Sequence, residues 1–434
     1  MTDEKLDDRK RKSLDSFSPF WYISVMGTGI SSALLHSFPY EARWLRNCSY
    51  IMFTLACLLL LSIMAVLIGN IIWRARQKSL RGFARRYFFD NSQNVFWGTL
   101  PMGWSTIVNY IFLLADNELQ GKQVANRMVI LVYVLWWISV LLALGTAWGI
   151  TFCIWDKQNR FWDLSVADPH NKALRQDLQV TILLPVIPLV VTSSSSGTFT
   201  MSRLFVENTT RNVQLLTLCV TGLIYFNALF FVSLIMSTYI WHLYVNKLPR
   251  QRKVFTLFLL VGPMGQGAFG SLLFSNNLKT YIETYYPTSS ADGDAHIISL
   301  AAQWSVKLFG ILLALFLLAN GIFFTLLSFG TILSFFYTLL PSYRGPRISS
   351  FNKSWWSMTF PLGTMALGTH ELYQQYNPYV PISAFRTVSA IFASMCIVAT
   401  IVCLVGTVWL YCEPFLKLFR KRKSPNESSD TSLC

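Results

Sequence analysis

Ten apolar stretches dominate this chain, at residues 18–38, 48–73, 95–115, 128–155, 178–201, 213–241, 254–277, 308–340, 355–368 (continuing to about 373) and 387–412. Aspartate, glutamate, lysine and arginine are absent from all ten except for Glu371 at the end of the ninth. The hydrocarbon core of a bilayer takes about 20 apolar residues of helix, because it holds no water to satisfy backbone groups. The stretches therefore predict an all-α polytopic membrane protein with ten transmembrane helices. The eighth is long, but no turn or charge divides it, and tilt accounts for its length. Only 13% of the residues are charged, about half the share in a soluble domain, which excludes a soluble enzyme and a disordered chain. Cys57, Cys153, Cys219, Cys396, Cys403 and Cys412 lie in apolar runs and no CxxC pair occurs, so they read as small buried hydrophobes.

Charge sets the expected orientation. The first fifteen residues form a charged tail without an apolar core, so no cleavable signal peptide is expected. With that tail inside and loops assigned alternately, 27 of the 36 Lys/Arg fall on the inner side and 8 on the outer, with Lys307 at the mouth of the eighth helix. The positive-inside rule then places both termini in the cytoplasm. Three regions follow: a cytoplasmic tail at 1–17, a transport domain at 18–412 and a second cytoplasmic tail at 413–434. The net charge of +15 reads as this topology signal facing anionic lipid, not as a nucleic-acid footprint. The sequon at Asn208 lies in an outer loop and is the expected glycosylation site; Asn47 sits close to the bilayer, and Asn352 and Asn426 fall inside.

The odd stretches differ from the even ones. Even stretches are smooth, as in Leu58-Leu59-Leu60-Leu61, whereas odd ones are interrupted by proline, glycine and hydroxyls. The first carries Gly27-Thr28-Gly29-Ile30-Ser31-Ser32 and the third Pro101-Met102-Gly103-Trp104-Ser105-Thr106. The fifth has Pro185, then Pro188-Leu189-Val190-Val191-Thr192-Ser193; the seventh has Pro263-Met264-Gly265-Gln266-Gly267-Ala268; the ninth has Pro361-Leu362-Gly363-Thr364. Gly29, Gly103, Val190, Gly265 and Gly363 occupy matching places, so one broken and one smooth helix repeat five times. Proline removes an amide donor and kinks a helix, so Pro101, Pro185, Pro188, Pro263 and Pro361 are the expected kinks. Freed backbone groups are tolerated only against protein or a water-filled path. The alternation therefore predicts an inner ring of odd helices around a pore and an outer ring of even helices against lipid.

These motifs are similar to the tellurite-resistance/dicarboxylate transporter family, which includes the plant slow anion channels and fungal malate permeases, and most of all to its fungal sulfite-exporting branch. The stretches that carry the resemblance are Met26-Gly27-Thr28-Gly29-Ile30-Ser31, Gly98-Thr99-Leu100-Pro101-Met102-Gly103 and Trp355-Trp356-Ser357-Met358-Thr359-Phe360-Pro361. The resemblance covers about residues 18–412. It implies five helical hairpins around a central pore, homotrimers, and a single phenylalanine of the ninth helix that plugs the pore. The matching position is Phe360.

The pore candidates are small polar residues: Thr28, Ser31, Ser32, Ser105, Thr106, Asn109, Thr192, Ser193, Ser194, Ser195, Ser196, Gln266 and Thr364. None carries a charge. Conduction needs sites weak enough to release the ion, and spread hydroxyls and amides meet that need; Ser and Thr that bond back to their own helix are the competing reading. The resemblance implies export of sulfite or bisulfite from the cytosol across the plasma membrane; a dicarboxylate (malate) permease or another small-anion channel of the same family is the alternative. The absence of a basic residue among the candidates weighs against tight malate binding. No catalytic site, metal or cofactor is expected. Gly265-Gln266-Gly267-Ala268-Phe269-Gly270 matches GxGxxG but follows no strand, and His370-Glu371-Leu372-Tyr373-Gln374 lacks the second histidine of a zinc motif. His370-Glu371, His36 and Lys307 are the titratable groups near span ends, expected at the mouths.

Overall fold

The computed structural model describes residues 17–77, 80–157, 159, 179–245, 251–286, 293–336 and 351–423. Residues 1–16 of the first tail, residues 424–434 of the second with the sequon at Asn426, and much of the basic inner loops lie outside the described residues. The described part is all-α, and its ten long helices are α1 (Tyr22–His36), α2 (Arg43–Arg76), α3 (Thr99–Asn117), α4 (Gln123–Leu144), α5 (Ile187–Phe199), α6 (Arg211–Val245), α7 (Val261–Tyr285), α8 (Gly293–Phe336), α9 (Thr359–Tyr376) and α10 (Ala384–Lys423). The α4 helix runs on through a π-helical segment, Gly145–Ile150. Among the described residues, six helical spans are long and apolar enough to cross a membrane: Arg43–Arg76, Gln123–Lys157, Arg211–Val245, Lys253–Tyr285, Ile297–Ser334 and Ala384–Cys412.

Each odd helix is entered through 3-10 turns: Pro19–Trp21, Val95–Gly98, Val180–Leu183, Gln251–Leu260 and Lys353–Met358. The prolines explain this. Pro101, Pro263 and Pro361 are the third residues of α3, α7 and α9, and Pro188 is the second of α5. First-turn amides have no intrahelical partner, so proline there costs no hydrogen bond and presets the backbone. Pro185 lies in the turn between Val180–Leu183 and α5. The breaks thus fall where a 3-10 lead-in becomes α-helix. The α5 helix has only 13 residues, which rise about 20 Å against a hydrocarbon core of about 30 Å.

Burial separates the two sets. Of the apolar window in Lys253–Tyr285, 94% is buried, against 22% in Arg43–Arg76. The even helices turn side chains such as Leu61, Leu141, Leu223, Phe316 and Val405 outward, as lipid-facing helices do. Among the odd helices, α1 packs on α3, α3 on α5, α5 on α7, α7 on α9, and α9 returns to α1. Each even helix lies against the odd helix before it and also touches the next, with α10 touching α1.

Glycines set how closely the odd helices approach. A methyl at Gly29 would overlap the Thr106 side chain, and one at Gly265 would lie 2.6 Å from the Thr364 carbonyl carbon. One at Gly363 would lie 2.7 Å from Ile30 Cδ1, and one at Gly197 2.7 Å from Leu273 Cβ. Gly103 meets Val25, and Gly27 meets Thr359. Contacts on neighbouring helices advance in step (25 with 103, 29 with 106; 27 with 359, 30 with 363), so these helices run parallel.

Candidate functional site

Successive residues of an α-helix point about 100° apart, so named contacts fix which way every side chain on an odd helix faces. On α5, Thr192 Oγ1 lies 3.0 Å from Ser139 Oγ of α4, and Ser196 Oγ lies 2.6 Å from Thr221 Oγ1 of α6. Those two residues mark the outward side. Ser194 points the opposite way, into the ring. On α7, Gly267 faces outward against Leu317 of α8 and Leu229 of α6; Phe269, two positions on, points to the opposite side, and Gln266 turns toward Ser194 of α5. On α9, a methyl at Gly27 of α1 would meet Thr359, Thr364 Oγ1 donates to the Gly262 carbonyl of α7 at 3.2 Å, and Met365 meets Gly321 of α8. Phe360 takes the remaining direction, toward the interior.

The polar candidates divide into three groups. Ser31, Ser105, Thr192 and Ser196 bond outward. Ser31 Oγ donates to Thr400 Oγ1 of α10 at 2.9 Å, and Ser105 Oγ lies 2.6 Å from Ser139 Oγ. These hydroxyls pin inner helices to outer ones. Thr28, Ser32, Thr106 and Ser193 bond back to the carbonyls of Ser24, Gly29, Gly103 and Val190 at 2.7 to 2.9 Å; Thr364 bonds in the same way to Pro361, at 2.8 Å. Such bonds consume the hydroxyl donor.

The third group joins neighbouring odd helices to one another. Ser195 Oγ donates to Asn109 Oδ1, tying α5 to α3, and Gln266 Nε2 donates to Ser194 Oγ, tying α7 to α5. A polar arc of Asn109, Ser195, Ser194 and Gln266 thus spans three of the five odd helices. The interior positions that sequence reasoning missed are apolar: Met26, Met102, Phe269, Leu273 and Leu367. Apolar residues give no signal in a chain this hydrophobic; the only pointer was spacing, as in Gln266, Phe269 and Leu273 at i, i+3 and i+7.

Side chains are buried near the N-terminal ends of the odd helices and become part-exposed farther along them. Phe360 is 3% exposed and Met102 1%. Farther along, Ala33, Asn109, Leu113, Thr198, Leu367 and Glu371 are part-exposed. Among the described residues, no cluster of three His, Cys, Asp or Glu suits a metal ion. Of the titratable groups near span ends, Glu371 accepts at Oε1 from Gln375 Nε2 at 2.7 Å, and His36 and Lys307 are buried. His36 Nδ1 lies 3.4 Å from Ser49 Oγ, and Lys307 Nζ lies over the Tyr376 and Tyr379 rings.

Residues 16–408 match the family described as SLAC1, voltage-dependent anion channel. The chain is 43% identical over 417 residues to sulfite efflux pump SSU1 of Saccharomyces cerevisiae, covering 95% of this chain and 91% of that one. It is 31% identical to sulfite efflux pump SSU1 of Candida albicans, covering 95% and 78%, and 24% identical to that of Arthroderma benhamiae, covering 96% and 97%.

Proposed function

Because the chain belongs to the SLAC1 family of voltage-dependent anion channels, we propose that it exports sulfite and bisulfite from the cytosol across the plasma membrane. The carrying observation is its identity to the sulfite efflux pump of Saccharomyces cerevisiae along almost the whole of both chains. It is a transport protein and not an enzyme.

The proposed architecture is ten membrane crossings paired as five hairpins, with the odd helices around a central pore and both termini in the cytosol. The closed order of odd-helix contacts and the 27-to-8 partition of Lys/Arg support it. In this reading Phe360 is the plug at the narrowest level. Asn109, Ser194, Ser195 and Gln266 are the polar part of the path beyond it. Thr106 and Thr364 flank that path, each with its hydroxyl bonded to a backbone carbonyl. Uncharged groups stabilise an anion weakly enough to let it leave.

An inside-negative membrane drives an anion outward by about 2.3 kcal/mol per charge per 100 mV. Sulfur dioxide enters cells as a neutral gas and ionises in near-neutral cytosol, so a gated anion path suffices for export. The proposal extends to a homotrimer and to glycan at Asn208. Sulfite release from liposomes holding the purified protein is the deciding measurement, with malate and chloride compared. Release no faster than from empty liposomes refutes the proposal, and a malate rate far above that of sulfite replaces it with the permease.

A further inference from the structure

Gln266 is 2% exposed and sits on the side of α7 that meets Ser194 of α5. Its two amide atoms are in different situations. Ser194 Oγ donates its proton to the Val191 carbonyl at 2.9 Å. It has only a lone pair left to offer, so the atom of Gln266 that meets it is the donor Nε2. The amide orientation is therefore set by the hydroxyl beneath it. Oε1 is then turned away from that contact and has no hydrogen-bond partner among the described residues. A buried acceptor without a donor costs free energy.

An unsatisfied acceptor is an odd group to place on the path of an anion. It repels lone pairs and gives nothing to an ion made only of oxygen acceptors. It is favourable for an anion that still carries a proton. The complementary group stands on α3, against Ser195, the residue next to Ser194. Asn109 Oδ1 accepts from Ser195, which leaves the Asn109 Nδ2 donors for an anion's oxygens.

We propose that Gln266 reads the proton of the passing anion, so that the path selects the monoprotonated ion, bisulfite in its S–OH form, over the sulfite dianion. The O–H of bisulfite donates to Gln266 Oε1, and its charged oxygens accept from Asn109 Nδ2. The dianion has no proton to offer and meets Oε1 with a lone pair. Carrying the singly charged species also halves the charge to be desolvated in the ring interior. This inference rests on the sulfite-export reading and adds which protonation state is carried and which residue selects it.

The test uses purified full-length protein in liposomes with equal pH on both sides. Release of loaded sulfite is followed across the range in which bisulfite gives way to sulfite. Nitrate release from the same vesicles is the reference, since nitrate carries no proton there, and protein-free vesicles correct for leakage of neutral sulfur dioxide. The expected wild-type ratio of sulfur release to nitrate release falls with rising pH in step with the bisulfite fraction. In Gln266→Met, which keeps the side-chain shape without the amide, the ratio at low pH drops about tenfold, or 1.4 kcal/mol, and the pH profile flattens. Ser194→Ala, which frees the amide to rotate, gives a smaller drop in the same direction.

A wild-type ratio that stays constant or rises as the dianion accumulates overturns the proposal without any variant, and so covers the case in which Gln266→Met fails to fold. A folded Gln266→Met with the wild-type ratio and profile also overturns it. Nitrate release without any sulfur release sinks the export reading itself, and the inference with it.

Discussion

Replacing Gly265 with alanine tests the packing that holds the odd helices together. The added methyl would lie 2.5 Å from the Met365 amide nitrogen, 2.6 Å from the Thr364 carbonyl carbon and 2.7 Å from Thr364 Oγ1. Two of these three atoms are backbone, so no rotamer change relieves the overlap. Carbon contacts are comfortable at about 3.5 to 4.0 Å. The first turns of α9 would therefore have to retreat from α7 by about 1 Å. Overpacking of this kind costs about 1–3 kcal/mol, and the intrinsic preference of alanine over glycine in a helix returns about 1 kcal/mol. Gly330→Ala on α8 is the matched control, since a methyl there meets nothing within 4 Å and only the helix-propensity gain remains. In thermal unfolding of the purified protein, Gly265→Ala is expected to melt below wild type and Gly330→Ala at or slightly above it. Because Phe360 lies one turn before Thr364 on α9, a retreat of α9 also moves the proposed plug, so basal anion release is expected to change in Gly265→Ala alone. Equal melting and equal release in the two variants would refute the close α7–α9 contact, and with it the parallel ring built on such contacts.

Three further outcomes are expected. Phe360→Ala should raise basal anion release from liposomes by about tenfold, a barrier lowered by 1.4 kcal/mol; unchanged release from a well-folded variant removes the plug from Phe360. Asn208→Gln should abolish a glycosidase-sensitive shift of the full-length protein on a gel, and a shift that persists places the glycan elsewhere. Asp116 lies just beyond the third apolar stretch, and burial raises its carboxyl above the ordinary carboxylate value. A raised folded value means that the ionised form weighs against folding at neutral pH and that this cost vanishes once both states are protonated, below about pH 3.9. Asp116→Asn should therefore melt higher than wild type near neutral pH and equally at strongly acidic pH; a gain that persists in acid assigns the effect to something other than the charge.

Much of the fold was legible in the chain. Charge-free runs mark the helices, the five-fold recurrence of Pro and Gly marks the odd ones, and smooth Leu and Phe runs mark those that face outward. The glycines were read as signs of an interrupted helix, and in the structure they are the places where neighbouring helices touch. The prolines were read as kinks, and they stand at the junction between a 3-10 lead-in and the α-helix that follows. Both outcomes follow from elementary sterics, since glycine admits a neighbouring helix and proline is cheapest where no amide partner exists.

What the residues alone determined, then, is where each helix lies along the chain and whether it is broken or smooth. What only the tertiary structure decided is how each odd helix is rotated about its own axis. Ser194 and Ser196 are two positions apart in one serine run, yet one faces the ring interior beside Gln266 and the other an outer helix at Thr221. In a water-soluble helix the contrast between a wet face and a dry face reveals the rotation in advance. A helix surrounded by other apolar helices has no wet face to betray it, so the hydroxyl pattern is compatible with every rotation until the neighbours are in place.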